Sequence, residues 1–331
     1  MESLERLNIS RKAWRDKNVL VTGGAGFLGG WLVDALVDLG ANVVCVIRDK
    51  VPQSHFFQTR LDNRSSIVHG DINDYLLLER TMAEYEVEIV LHMAAQALVT
   101  VAENDPFSTF ESNIKGTWTV LEACRRNPTV KRIVVASSDK AYGEMGKASY
   151  REDTALLGAE FPYDVSKACA DLIAQSYFKT YKLPVAITRC GNLFGGGDLN
   201  FNRIIPGTIR SALRGERPIL RSSGKYLRDY FYVKDAVSAI LKLAENMKKK
   251  QFHGEAFNFS SNTNKTVLQI VGELMDITNK NLKPIILNKA EHEIKRQSLS
   301  TGKAQKHLKW KPVFNFRQAL EETVQWYREF L

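Results

Sequence analysis

Tyr163 and Lys167 stand four positions apart in Tyr163-Asp-Val-Ser-Lys167. On a helix that spacing puts a phenol and an ammonium on one face. An adjacent ammonium stabilises phenolate, so the pair predicts a tyrosine that can take a proton near neutral pH. A second reactive group lies in Ala136-Ser-Ser-Asp-Lys-Ala-Tyr-Gly143. There Ser138 can hydrogen-bond a hydroxyl beside Tyr163, and Asp139 and Lys140 offer an acid and a base. Away from Tyr163 the same stretch would be a surface turn with a local ion pair.

A third constellation is Thr22-Gly-Gly-Ala-Gly-Phe-Leu-Gly29, in which Gly23, Gly26 and Gly29 recur at a fixed interval after an apolar run. The first glycine permits a tight turn, the second a close backbone approach to a pyrophosphate, and the third close packing of helix on strand. Phe27, Leu28 and Gly29 open the helix, whose N-terminus favours a phosphate. A dinucleotide site follows. The acid that usually ends the second strand is replaced by Ile47, followed by Arg48 and Asp49. Arg48 can stack on adenine or meet the 2′-phosphate of NADP, whereas Asp49 can reach the ribose diol of NAD. Asp71, with Ile72 beside it, is placed to accept from the adenine amino group or to cap the next helix.

These residues need rigid elements beneath them. Continuous apolar runs at Asn18–Thr22, Val43–Ile47, Ser66–His69, Glu88–His92, Lys131–Ala136 and Pro184–Thr188 alternate with helical patterns at Phe27–Leu39, Asn113–Asn127 and Tyr163–Tyr181. That rhythm predicts an α/β fold, a doubly wound parallel sheet of Rossmann type. Gly40 is a natural helix stop. Beyond Asn192 the rhythm breaks, and Arg203, Arg210, Arg214, Arg217, Arg221 and Arg228 crowd together. The expected division is a dinucleotide-binding domain over 1–192 and a smaller mixed α/β substrate lobe over 193–331. Part of 230–260, including a Val233–Met247 helix, is expected to pack back on the sheet. An amphipathic helix over Asn315–Leu331 closes the chain.

Among the 331 residues, 44% are hydrophobic and 25% charged, which excludes a disordered or collagen-like chain. Lys and Arg number 46 against 37 acids, a net charge of +9 that fits anionic ligands. No nucleic-acid-binding pattern accompanies it. The 4 cysteines form no CxxC pair, and no metal-ligand spacing occurs. The Met1–Lys17 segment lacks the apolar stretch of a signal peptide, and no run approaches the ~18–20 apolar residues that span a bilayer. The expectation is a cytoplasmic protein with reduced thiols, no metal, no membrane association and no nucleic acid.

Together the three constellations resemble the extended short-chain dehydrogenase/reductase family, its nucleotide-sugar epimerases and dehydratases. The resemblance extends through His92-Met-Ala-Ala-Gln96, Asn113-Ile-Lys-Gly116, Arg189-Cys-Gly-Asn192, Arg228-Asp-Tyr-Phe-Tyr-Val233 and Leu308-Lys-Trp-Lys-Pro312. The Asp139–Lys140 pair is similar to that of the CDP-glucose 4,6-dehydratase branch. The resemblance implies NAD as cofactor, with further contacts from Ala94, Ala95, Gln96, Asn113 and Cys190, and a homodimer through the Asn113–Asn127 and Tyr163–Tyr181 helices. It implies that Tyr163 takes the proton of the sugar 4-hydroxyl, Ser138 orients that hydroxyl, and Lys167 lowers the Tyr163 pKa and holds the nicotinamide ribose. Lys140, or a water it holds, then removes the C5 proton, and Asp139 protonates the departing 6-hydroxyl. A lysine base must be partly neutral against an ordinary pKa of about 10.4. Burial, Lys167 and the nicotinamide charge would all act in that direction. Asn192, Arg203 and Arg228 are the expected substrate diphosphate contacts, since arginine meets phosphate by charge-assisted forks. Ser222-Ser223-Gly224 stands where relatives often carry an acid before glycine, which leaves the nucleotide base open. Two other readings are a 4-epimerase, which needs Tyr163 but not Asp139 or Lys140, and a non-catalytic dinucleotide sensor, which would not need the Tyr–Lys pair.

Overall fold

The structure, a computed structural model, describes residues 7–144, 149–158, 160–289 and 296–331. The first six residues of the Met1–Lys17 segment therefore lie outside it. The described residues form these strands in chain order: β1 (Asn18–Thr22), β2 (Asn42–Ile47), β3 (Ser66–His69), β4 (Ile89–His92), β5 (Arg132–Ala136), β6 (Val185–Cys190), β7 (Asn192–Phe194), β8 (Ile219–Leu220), β9 (Leu227–Tyr232), β10 (Ala256–Phe259), β11 (Asn264–Thr266) and β12 (Ile285–Ile286).

Apolar residues run unbroken through β1, β2 and β4, with Cys45 the one that is not Val, Ile or Leu, because both faces are covered. Seven strands form one parallel sheet in the order β10-β6-β5-β4-β1-β2-β3. The order reverses between β1 and β4, and a crevice opens at the carboxyl ends there. Two apolar layers flank the sheet, one including Val19, Val21, Leu32 and Ile240, the other Leu20, Val90, Val120 and Ile133. The later half of the chain also contributes to this body. Its helix Val233–Asn246 packs on the helix Phe27–Asp38 and on β5 and β6, and β10 adds the edge strand beside β6.

Gly191 separates β6 from β7 so closely that a Cβ there would meet the Asp229 carbonyl at 2.9 Å. The chain thus passes directly from the large sheet into a smaller one of order β11-β9-β7. A third pair joins β8 and β12. The helix Phe27–Asp38 ends with Gly40 at φ +85°, a left-handed stop. The helix Pro162–Tyr181 starts on proline, whose fixed φ suits the first turn.

One helix departs from the regular pattern expected over Asn113–Asn127. Glu111–Lys115 winds as a π-helical turn, and the α-helix proper runs Gly116–Arg126. The extra residue in the turn sets Asn113 inward, where it is 2% exposed.

Candidate active site

The glycine turn sits between β1 and the helix Phe27–Asp38. Gly23 has φ +71°, and a Cβ on it would meet the backbone of Ala94 at 2.8 Å. A Cβ on Gly29 would overlap the Gly23 carbonyl. The first N–H groups of the helix, from Phe27, Leu28 and Gly29, have no partner within it and point toward the turn. Beneath, Thr22 Oγ1 accepts from Ala94 N at 3.2 Å and contacts His92 Nδ1 at 2.8 Å, while His92 Nε2 meets Thr117 Oγ1 at 3.2 Å. Burial pushes His92 down to about 3, so it stays a neutral link.

At the end of β2, Arg48 donates from Nε to Asp49 at 2.7 Å and lies 3.7 Å from Asp71. Two carboxylates thus oppose any further phosphate at this corner, which favours a ribose diol over a 2′-phosphate. Asp71 also accepts from Asn73 N at 2.8 Å in its own turn. The helix cap is Asp74, which accepts from Leu77 N at 3.0 Å, so that alternative for Asp71 is corrected by three positions. Ile72 is buried against Gly116. Gln96 folds its amide back on Leu98, and its backbone N–H donates to Asn113 Oδ1 at 2.7 Å. Asn113 Nδ2 in turn donates to Gln96 O at 3.0 Å and to Ser166 Oγ at 2.8 Å. The π-helical turn therefore clamps the loop after β4 to the helix of Tyr163.

On that helix Lys167 is 6% exposed and donates from Nζ to Ala136 O at 3.0 Å. Burial lowers it to about 8. Cys190, at the end of β6, shares its field, and burial pushes the thiol up to about 12. Tyr163 is partly buried, and desolvation raises its phenol to about 12. The groups pulling the phenol down are Arg203 and a hydrogen bond with Ser138, while Asp139 and Asp164 push it up. The Lys167 ammonium is turned to the Ala136 carbonyl, and Arg203 is a cation that favours phenolate.

Ser138 caps the short turn Asp139–Tyr142, its Oγ accepting from Lys140 N at 3.2 Å and donating to Asp139 Oδ1 at 3.1 Å. One serine thus contacts both Tyr163 and Asp139. Asp139 is 2% exposed, and its Oδ2 has no protein partner. Desolvation raises its carboxyl, with Lys140, Ser138 and Arg228 pulling the other way. Such an acid keeps its proton to higher pH than an ordinary aspartate. Lys140, partly exposed, faces the carboxyls of Asp139 and Asp164 rather than a ring of like charges. Asp164 is buried and raised to about 6 by desolvation. It lies inside the Tyr163–Lys167 stretch, but its charge could be assigned a role only once Lys140 was located beside it.

The later half closes the crevice. Asn192 on β7 has an Nδ2 without a protein partner. Arg203 Nη1 pairs with Asp198 Oδ2 at 3.1 Å, and Arg228 on β9 is 9% exposed. Three of the other arginines of that stretch serve elsewhere: Arg217 donates to Lys283 O, Arg221 to Asn202, and Arg210 lies over the Phe201 ring. Asp229, fully buried, accepts from Ser260 Oγ and Leu299 N and is raised to about 7 by burial. Its sequence signal is a lone acid within the aromatic strand Leu227–Tyr232. No group of three His, Cys, Asp or Glu among the described residues could hold a metal ion. No described helix is long and apolar enough to cross a membrane.

The profile of the NAD dependent epimerase/dehydratase family matches residues 19–259, from β1 through β10. The chain belongs to that family. Its cofactor is NAD, and the glycine turn and the carboxylates around Arg48 fit the group; the NADP alternative is set aside. Among similar members, the CDP-glucose 4,6-dehydratase of Salmonella typhimurium is 30% identical over 98% of this chain and 94% of that protein. The dTDP-glucose 4,6-dehydratase of Xanthomonas campestris is 29% identical over 93% and 92%. In three dimensions, a dTDP-glucose 4,6-dehydratase from Streptomyces venezuelae with NAD bound superposes with a TM-score of 0.84 at 30% identity, covering 94% of this chain and 97% of that one. The UDP-glucose 4-epimerase of Thermotoga maritima, solved with UDP-glucose, gives 0.86 at 28%, covering 94% and 99%.

Proposed function

We propose that this protein is a nucleotide-sugar 4,6-dehydratase, converting a nucleoside diphosphate hexose to its 4-keto-6-deoxy derivative with loss of water. The observation that carries the reading is the turn Ser138–Lys140. It sets a buried, proton-retaining carboxyl beside Tyr163 and follows it with a lysine, and Ser138 is bonded to both Tyr163 and Asp139. A 4-epimerase needs the serine and tyrosine but has no work for the acid and the lysine.

NAD, when bound, supplies the acceptor for the C4 hydrogen and returns it at C6, and its positive ring adds to the charges favouring phenolate. Tyr163 takes the proton of the 4-hydroxyl, which Ser138 orients and Arg203 assists. The 4-ketone acidifies the neighbouring C5 proton. Lys140 in its neutral amine form, or a water it holds, removes that proton, while Asp139 gives its own to the departing 6-hydroxyl. Lys167 holds the nicotinamide ribose. Gly23, Gly26, Phe27, Leu28 and Gly29 take the pyrophosphate. Asp71, Ile72, Ala94, Ala95, Gln96, Asn113 and Cys190 border the rest of the cofactor. Asn192, Arg203 and Arg228 meet the substrate diphosphate. In this division of labour residues 1–192 hold the cofactor and carry the groups that act on the sugar, and 193–331 with Asn192 bind the nucleotide diphosphate.

The protein is further proposed to act as a cytoplasmic homodimer. Trp118 and Leu172, on the adjacent helices Gly116–Arg126 and Pro162–Tyr181, are 44% and 54% exposed and present an apolar face. All four cysteines are free thiols, in keeping with a reducing compartment. Mass spectrometry after incubation with CDP-, dTDP-, GDP- and UDP-glucose tests the activity. Loss of one water from one of them is expected and names the base. An unchanged mass with inverted C4 would replace the dehydratase with an epimerase.

A further inference from the structure

Behind the catalytic turn lies a buried polar network that the chemistry above does not use. Asp171 follows Lys167 by one helical turn and is fully buried. Arg189, on β6 and 2% exposed, grips it with a fork, Nε to Oδ2 at 2.8 Å and Nη2 to Oδ1 at 2.9 Å. The remaining arm, Nη1, donates to Tyr142 Oη at 2.8 Å and to Glu152 O at 3.1 Å. Tyr142 ends the turn that starts with Asp139, and its own hydroxyl donates to Asn258 Oδ1 on β10 at 2.7 Å. Asn258 Nδ2 donates to Tyr150 O at 3.0 Å, and Tyr150 Oη to Gly143 O at 2.8 Å. Tyr150 also exchanges backbone bonds with Ser298 and Ser300, next to Leu299, whose N–H donates to Asp229.

A buried, doubly hydrogen-bonded ion pair is weak ground for stability, because desolvation offsets most of its attraction. It does fix geometry. The fork has one orientation, and Tyr142 has one hydroxyl placed between it and β10. Besides the Ser138–Tyr163 and Lys140–Asp164 contacts at the site itself, this network joins the turn of Asp139 and Lys140 to the helix of Tyr163 and Lys167 from behind.

We infer that Arg189, Asp171 and Tyr142 are positioning residues that hold the Asp139–Lys140 turn in register with Tyr163, so that water loss follows oxidation at C4. The inference rests on the dehydratase reading. Its consequence is selective. Disturbing the network should harm the step served by Asp139 and Lys140 more than substrate binding, which other residues carry.

Two variants test it. Tyr142→Phe removes the hydroxyl alone and leaves Arg189 bound to Asp171 and Glu152. Arg189→Lys keeps the charge and loses the fork. With the substrate the parental enzyme dehydrates, Tyr142→Phe should lower kcat by roughly 10²-fold, the scale for a small misplacement of reacting groups. KM should stay close to the parental value, and the thermal midpoint should fall by only a few degrees, roughly 2–4 °C, as two buried groups lose a partner. The isotope effect on kcat for substrate deuterated at C5 should rise, because proton removal there becomes limiting. Arg189→Lys should share the raised isotope effect in whatever fraction folds. A parental kcat and isotope effect in Tyr142→Phe overturns the inference. So does a lower kcat that tracks loss of folded protein with the isotope effect unchanged. If the parental enzyme inverts C4 without losing water, the dehydratase reading falls and takes the inference with it; if it dehydrates and Tyr142→Phe matches it, the inference alone falls.

Discussion

At the scale of single residues, the site separates proton transfers by environment. Tyr163 works against its burial, which raises it to about 12, with Arg203 and Ser138 drawing it back. Removing the hydroxyl removes the general base, so Tyr163→Phe should cost about 10²–10⁴ in kcat. Lys140→Ala should leave Tyr163 and its oxidation step intact but stop exchange of the C5 proton. Incubation in heavy water followed by mass spectrometry checks both, and near-normal dehydration by Lys140→Ala would remove it from the base role. Asp229 gives a prediction for stability. Burial holds it at about 7 against an ordinary 3.8. Between those values the folded chain keeps a proton that the unfolded chain has released. Its contribution is therefore fully present below about pH 4 and is lost as pH rises toward 7. Asp229→Asn should flatten that part of the stability curve in chemical denaturation. A slope as steep as the parental one would place the titration elsewhere. Asp164 and Asp235, each raised to about 6, leave a shallower slope of the same sign.

At the scale of elements, the glycine turn has least room for change. A Cβ on Gly29 overlaps the Gly23 carbonyl, so Gly29→Ala must push the helix Phe27–Asp38 off β1. If the displaced helix loses about 1–3 kcal/mol of its contact with the pyrophosphate, NAD binding weakens roughly 5- to 150-fold, measurable by calorimetry. Unaltered affinity would detach the turn from the pyrophosphate. This turn and the strands were readable from the residues, because unbroken β-branched runs between helical patterns leave few other folds. The π-helical turn at Glu111–Lys115 was not, since one extra residue per turn leaves no mark in composition. Neither was Arg203 as a cation acting on Tyr163. Spacing along one helix places Lys167 on the right face, but the Ala136 carbonyl that claims its ammonium comes from a neighbouring strand. Arg189 stood in a recognisable stretch, yet its fork to Asp171 spans two elements and shows only in three dimensions.

At the scale of the whole molecule, the later half of the chain both completes the large sheet through β10 and brings Arg203 and Arg228 over the crevice. The apolar face with Trp118 and Leu172 should be covered by a second copy. Leu172→Glu should then shift the sedimenting species from two chains to one, and a parental species of one chain would contradict the dimer. The central claim is that one crevice oxidises C4, expels water across C5 and C6, and returns the same hydrogen. The most direct measurement uses a nucleotide-activated glucose deuterated at C4 and locates the label in the product by NMR. The expected product is a 4-keto-6-deoxy sugar with the deuterium on C6. Deuterium retained at C4 in a sugar of inverted configuration, with no water lost, would contradict it.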